Sequence, residues 1–311
     1  MNHPHTVPDI HAGQLAAITG QLQQVLLDKP QAVRLALACI VARGHLLLED
    51  LPGMGKTLLA QALARTLGLD FKRVQFTSDL LPGDLLGASV FERDSGSFRF
   101  VAGPVFSEVL LADEINRASP KTQSALLQAM EERQVAVDGG NLSLPPVFFV
   151  LATQNPADQH GVHPLPEAQL DRFLMRLSLG YPSREAELAL LAGGDRHAQA
   201  QHLPPLLDAA QLQHLQQRAA GLTASPALLE YIHALLQASR ECGLFCHGLS
   251  PRAGQSLLAA ARAWALLDGR DFVVPSDVQT VLPYVAGHRL RSARGGEVAD
   301  ALIELLGKVR V

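Results

Sequence analysis

The 311 residues carry 26 Lys and Arg against 30 Asp and Glu, a net charge of -4, and 48% are hydrophobic. That balance offers no basic field for neutralising a phosphate backbone over a wide surface, and the length suggests about two domains with a sizeable core. Three cysteines are too few for a disulfide framework, and the apolar runs end in charge well short of the ~20 residues a membrane helix needs. A reducing cytosol is the expected compartment; no charged, apolar and small-residue leader opens the sequence.

Residues 1–12, rich in histidine and proline and lacking periodicity, read as a mobile arm. Short apolar runs follow in "HLLLED", "FKRVQF", "EVLLADE", "PVFFVLATQN" and "RFLMRLSL", separated by helical stretches such as "KTLLAQALARTLG" and "PKTQSALLQAMEE". Alternating strand and helix predicts an α/β fold with a parallel sheet covered on both faces. Two hairpins interrupt it, around Asp94 to Gly96 and around Asp138 to Asn141. After "LGYPSRE" the pattern becomes helical, which places a boundary near residue 181 between an α/β domain (13–181) and an all-helical lid (182–311). Lid helices are expected over 183–192, 208–220, 226–241, 251–267, 276–287 and 297–308. Ser225-Pro226 and Ser250-Pro251 supply capping hydroxyls before a first-turn proline, and Gly243 and Gly269 suit helix stops.

"LLLEDLPGMGKTLLAQ" carries the strand-loop-helix context of a phosphate-binding P-loop. The amides of Pro52-Gly53-Met54-Gly55-Lys56-Thr57-Leu58 and the helix dipole behind them favour an anion, proline itself lacking a donor. Gly53 and Gly55 give backbone freedom at close approach, Lys56 reaches the terminal phosphates, and Thr57 offers a hydroxyl to Mg²⁺. Asp50 stands where the motif usually opens with glycine, upstream of every group that touches phosphate.

"VLLADE" is a buried strand ending in two acids. Alone, such a pair is most often a solvated turn; behind a P-loop, Asp113 suits a metal site and Glu114 the polarising of water. Asn155, closing "FFVLATQNP", could equally initiate an Asn-Pro turn or orient that water. Arg252 lies in the first turn of its helix, where a cation is disfavoured by roughly 0.3–1 kcal/mol unless an anion sits nearby. Arg172 and Arg176 both read as ordinary salt-bridge residues or as phosphate ligands.

Together "LLLEDLPGMGKTLLA", "VLLADEINRASPKTQSALLQAMEE", "LATQNP", "LPEAQLDRF" and "LSPRAGQSLLAAARAWAL" closely resemble the MoxR family of AAA+ ATPases, in the helix-2-insert clade. The resemblance implies a five-stranded core of order 5-1-4-3-2, two clade-specific hairpins, a helical lid, a ring, commonly hexameric, and ATP with Mg²⁺. It assigns Lys56 and Thr57 to Walker A, Asp113 and Glu114 to Walker B, Asn155 to sensor 1, Arg252 to sensor 2 and Arg172 to the arginine finger, with Arg117 near the same interface. Glu-Asp before the loop is a trait of that family. Chaperone-like maturation of client complexes, often with a partner bearing a von Willebrand factor A domain, is the implied work. Nucleotide-gated binding with little turnover, a chelatase-like motor and a DNA-remodelling motor are the alternatives. Asp28-Lys29 stand where the family usually has Gly-Gln, which puts the base contacts in question.

Cys242, Cys246 and His247 form C-x3-C-H, which lacks a second ligand pair for zinc, and Trp264 follows an apolar helix face suited to core packing.

Overall fold

The computed structural model describes residues 10–94, 96–137, 140–155, 161–193 and 195–310. The expected arm lies outside them up to residue 9, and a helix already begins at Ile10. Residues 10–12, expected to belong to the arm, are therefore helical.

The strands are β1 (Leu46–Glu49), β2 (Phe71–Gln75), β3 (Gly87–Glu92), β4 (Ser97–Ala102), β5 (Val109–Asp113), β6 (Gln134–Val137), β7 (Gly140–Ser143), β8 (Phe149–Gln154) and β9 (Met175–Leu177). Among the described residues five of them form one parallel sheet in the order β2-β5-β8-β1-β9, which is the expected 5-1-4-3-2. The central strands are apolar because both faces are covered. Leu46, Leu48, Leu111 and Leu151 pack into one buried cluster, and Leu47, Leu110, Val150 and Ala152 into another on the opposite face. Edge strand β2 instead carries Lys72, Arg73 and Gln75. The two remaining strand pairs, β3 with β4 and β6 with β7, are the expected hairpins. The second turn's Asp138 and Gly139, like Ser95 in the first, lie outside the described residues.

Helices α1 (Ile10–Val25) and α2 (Pro30–Val41) precede the sheet; α3 (Lys56–Thr66), α4 (Pro82–Leu86), α5 (Pro120–Glu132) and α6 (Glu167–Leu170) connect its strands. The chain then continues through α7 (Arg184–Leu191), α8 (Arg196–Gln201), α9 (Ala209–Ala220), α10 (Pro226–Glu241), α11 (Pro251–Leu267), α12 (Pro275–Ala286) and α13 (Val298–Lys308). The capping serines act as expected: Ser225 and Ser250 accept the amides of Leu228 and Ala253. Gly243 and Gly269 adopt φ of 68° and 72°, the left-handed stops that glycine allows. Trp264 is buried as expected, and the Arg34 guanidinium lies 4.4 Å from its ring centroid.

α2 packs against α9 and α11, so the helical region shares one buried cluster with the sheet's first face. α12 packs on β9, while Leu190 of α7 and Arg196 and His197 of α8 reach the carboxyl ends of the strands.

Candidate nucleotide site

Three neighbouring parallel strands, β1, β8 and β5, end side by side. Their carboxyl ends deliver the loop 50–55, Asn155, and Asp113 with Glu114 to one place. A cavity of about 450 Å³ there is lined by Pro52 to Leu58, Arg73, Asp113, Glu114 and Asn155. Its remaining wall comes from Val25 to Leu27 and Lys29 on one side and Pro182, Leu190, Arg196 and His197 on the other. The predicted loop residues, both acids and the asparagine are therefore brought together, and the lid contributes to the same cavity.

Gly55 caps α3 at φ 92° and Gly53 has φ 84°, conformations an L side chain adopts only with strain. That geometry turns the loop so that the amides of Lys56, Thr57 and Leu58, which have no acceptors inside the helix, open onto the cavity. The Lys56 ammonium donates to the carbonyls of Asp50, Leu51 (3.3 Å) and Gln154 (3.5 Å). Burial pulls its pKa down, and the nearby carboxylates of Asp50, Asp113 and Glu114 oppose the shift. Amides at a helix start, an ammonium, the Thr57 hydroxyl and the Asp113 carboxylate in one cavity are the donor set that a magnesium triphosphate requires.

Asp50 does not spoil the loop. It is buried, and its carboxylate accepts the Ser178 hydroxyl at 2.8 Å, the Gly180 amide at 3.3 Å and the Leu179 amide. The residue thus fastens the start of the phosphate loop to the chain leaving β9. Asp28 and Lys29 act on the same segment: Asp28, itself at φ 57°, accepts the Ser183 amide at 2.8 Å, and Lys29 donates to the Tyr181 carbonyl at 2.7 Å. The departure from Gly-Gln therefore clamps the junction with the lid.

The acids are already engaged. Thr153 donates its hydroxyl to Asp113 Oδ1 at 2.6 Å and accepts the Glu114 amide at 2.8 Å. Arg73 pairs with Asp113 Oδ2 at 2.6 Å. Gln75 donates to Glu114 Oε2 at 2.7 Å, and Arg117 meets the same oxygen at 3.0 Å. Sequence reasoning missed Arg73 and Gln75; their alternate spacing on a strand beside the acidic one was the available signal.

Arg172 and Arg252 do not line this cavity. They line a second one, of about 330 Å³, with Arg43, Arg133, Arg289, Glu131 and Asp171. Glu131 binds both, at 2.8 Å to Arg172 and 3.1 Å to Arg252. The anion that offsets Arg252 at its helix start is therefore a carboxylate of the same chain. Gly44 and His45 border this cavity, so it lies at the amino end of β1, whereas the P-loop follows its carboxyl end. Four strand residues, about 13 Å of rise, intervene. Arg176, by contrast, is occupied within the sheet, bound to Glu49 at 2.9 Å and to the Gly287 carbonyl at 3.1 Å. Arg117 sits on Glu114, beside the nucleotide cavity. His247 pairs with Glu167 at 3.3 Å, and Cys246 lies against the Ser292 carbonyl at 3.8 Å.

A five-stranded parallel sheet of this order, with hairpin insertions and a helical lid, is the architecture of an AAA+ ATPase. Residues 45–175 match the model of the ATPase family associated with various cellular activities (AAA), and residues 237–304 that of the AAA lid domain. An uncharacterised Bacillus subtilis protein, YeaC, is 42% identical over 97% of this chain and 96% of its own length. Chaperone MoxR1 of Mycobacterium tuberculosis is 41% identical over 87% of this chain and 74% of its own. Protein MoxR of Paracoccus denitrificans is 35% identical over 86% of each. A crystal structure of a candidate ATPase from Cytophaga hutchinsonii superposes with a TM-score of 0.88 at 35% identity, covering 96% of this chain and 95% of that one. The chain belongs to the MoxR family of AAA+ ATPases.

Proposed function

We propose that this chain is a magnesium-dependent ATP hydrolase that works as a ring, commonly a hexamer, to remodel or mature client protein complexes. The observation that carries the ring is the separation of Arg172 and Arg252 from the P-loop at opposite ends of β1. Two guanidiniums that line an open cavity yet face away from their own nucleotide site suit the nucleotide of a neighbouring copy. Arg172, rather than the sheet-bound Arg176, is the finger in this reading.

The amides from Gly53 to Leu58 and the Lys56 ammonium bind the phosphates. Thr57 and Asp113 would hold Mg²⁺, which when bound neutralises and orients the terminal phosphate oxygens. Glu114 takes a proton from the attacking water, which Asn155 orients, and the neighbour's Arg172 and Arg252 offset charge developing on the γ-phosphate. Water attacks directly, and no covalent intermediate forms.

The chaperone role is supported by the relative named Chaperone MoxR1. The resemblance to the family supplies the partner class, a protein with a von Willebrand factor A domain, and cysteine usage suggests the cytosol. We take residues 13–181 as the nucleotide-binding domain and 182–311 as the lid, with the clamped segment 178–183 at the junction.

Mixing Arg172→Ala subunits with Glu114→Gln subunits tests the shared site by phosphate release. Each variant alone should be inactive, and mixtures should recover turnover at interfaces that pair an intact Glu114 with an intact Arg172. No recovery at any ratio, in protein that co-assembles by size-exclusion chromatography, would refute the composite site.

A further inference from the structure

Arg73 has no role in the chemistry described so far, yet it meets the acid assigned to the metal. Both its Nη2 and Nε donate to Asp113 Oδ2, at 2.6 and 3.2 Å, while Thr153 holds the other oxygen at 2.6 Å. The Asp113 carboxylate is therefore bound on both sides. Arg73 and Gln75 lie two residues apart on edge strand β2 and project to one face, so the strand that grips Asp113 also grips Glu114.

An exposed ion pair ordinarily contributes little. This one is asymmetric: the Asp113 side chain is 12% exposed and the Arg73 side chain 49%. The acid is fixed and sheltered, whereas the guanidinium reaches it from solvent and lines the cavity that would take the nucleotide. A divalent cation at Asp113 and the guanidinium of Arg73 need the same carboxylate.

We propose that Arg73 is a positioning residue that competes with the divalent cation for Asp113, holding the carboxylate aimed into the cavity until metal displaces it. The proposal rests on the assignment of Asp113 to the metal.

The test is Mn²⁺ binding to the full-length ADP-bound protein, read by electron paramagnetic resonance and therefore independent of turnover. Removing a charge-assisted competitor in Arg73→Gln should tighten Mn²⁺ binding by roughly three- to tenfold. Arg73→Lys, which keeps the charge and loses the forked geometry, should fall between that variant and the native protein. Arg117→Gln removes a comparable cation from Glu114 and should shift the affinity by less than about twofold. Unchanged or weakened Mn²⁺ binding in Arg73→Gln, in protein with a native melting profile, would overturn the proposal. So would equal tightening in Arg117→Gln, since a general field would then suffice. If Asp113→Asn leaves Mn²⁺ binding intact, the metal assignment itself fails, and Arg73 falls with it.

Discussion

The Asp50 carboxylate accepts the Ser178 hydroxyl at 2.8 Å, tying the start of the phosphate loop to the strand exit that leads into the lid. The amides of Leu179 and Gly180 complete the set of donors around this anion, all three lying 128 to 130 residues away in sequence. Charge-assisted hydrogen bonds to a buried carboxylate contribute about 1.5–3 kcal/mol each, and removing the acceptor strands the donors. Asp50→Gly, which restores the usual first glycine of the loop, should therefore lower unfolding stability by about 2–4 kcal/mol, measured by denaturant titration. A glycine variant as stable as the native chain would show that the carboxylate is dispensable.

Lys56 and Glu114 should separate binding from chemistry. Lys56→Ala is expected to abolish nucleotide binding, because the ammonium is the cavity's main counter-charge for phosphate. Glu114→Gln should bind ATP within about twofold of the native protein yet lose at least about 10²-fold in turnover, the usual contribution of a positioned proton acceptor. Fluorescent-nucleotide titration and phosphate release measure the two quantities; native turnover in Glu114→Gln would remove that residue from the mechanism.

Arg252→Ala should leave nucleotide affinity of the dilute protein unchanged, since Arg252 shares the amino-end cavity with Glu131 and Arg172. Its turnover at ring-forming concentration should fall, and a finger can contribute about 10³–10⁵ in rate. An affinity loss in dilute Arg252→Ala protein would instead place that arginine on its own protomer's nucleotide.

Two buried histidines should make the fold sensitive to acid. Burial and neighbouring arginines lower the pKa of His45 and of His288 to about 3, from an ordinary 6.5. Both are neutral when folded, and His45 uses Nδ1 to accept the Val150 amide at 3.0 Å. Unfolding frees them to bind protons below pH 6.5, so stability should fall as pH drops from 6.5 towards 3, by about 1.4 kcal/mol per pH unit for each histidine. His288→Gln should reduce that slope when chemical denaturation is repeated between pH 6.5 and 4.5. An unaltered slope would mean that carboxylates alone cause the acid loss.

Much of this was legible because periodicity is local. Strands β1, β5 and β8 are apolar runs each closed by a polar or charged residue, and serine-proline caps and left-handed glycines bound helices that the sequence marks to within a residue or two. Helix α8 escaped because "RHAQAQ" has no apolar stripe; its buried side is Ala200 alone. The junction clamp was likewise invisible, since Asp28 and Lys29 read as a departure from a motif until Ser183 and Tyr181 stood beside them.

The chain's own order of residues determined the parallel core, its hairpins, the helical lid and the chemical inventory of the phosphate loop, because these depend on spacing within one element or its neighbour. Which groups face one another was decided only by folding. Parallel strands bring Asp50 against Ser178 and Arg73 against Asp113, while α11, packed beside the turn after α6, leaves Arg172 and Arg252 at the far end of β1 from Lys56. Such pairings follow from strand order and register across the sheet, long-range quantities that no local pattern of residues encodes.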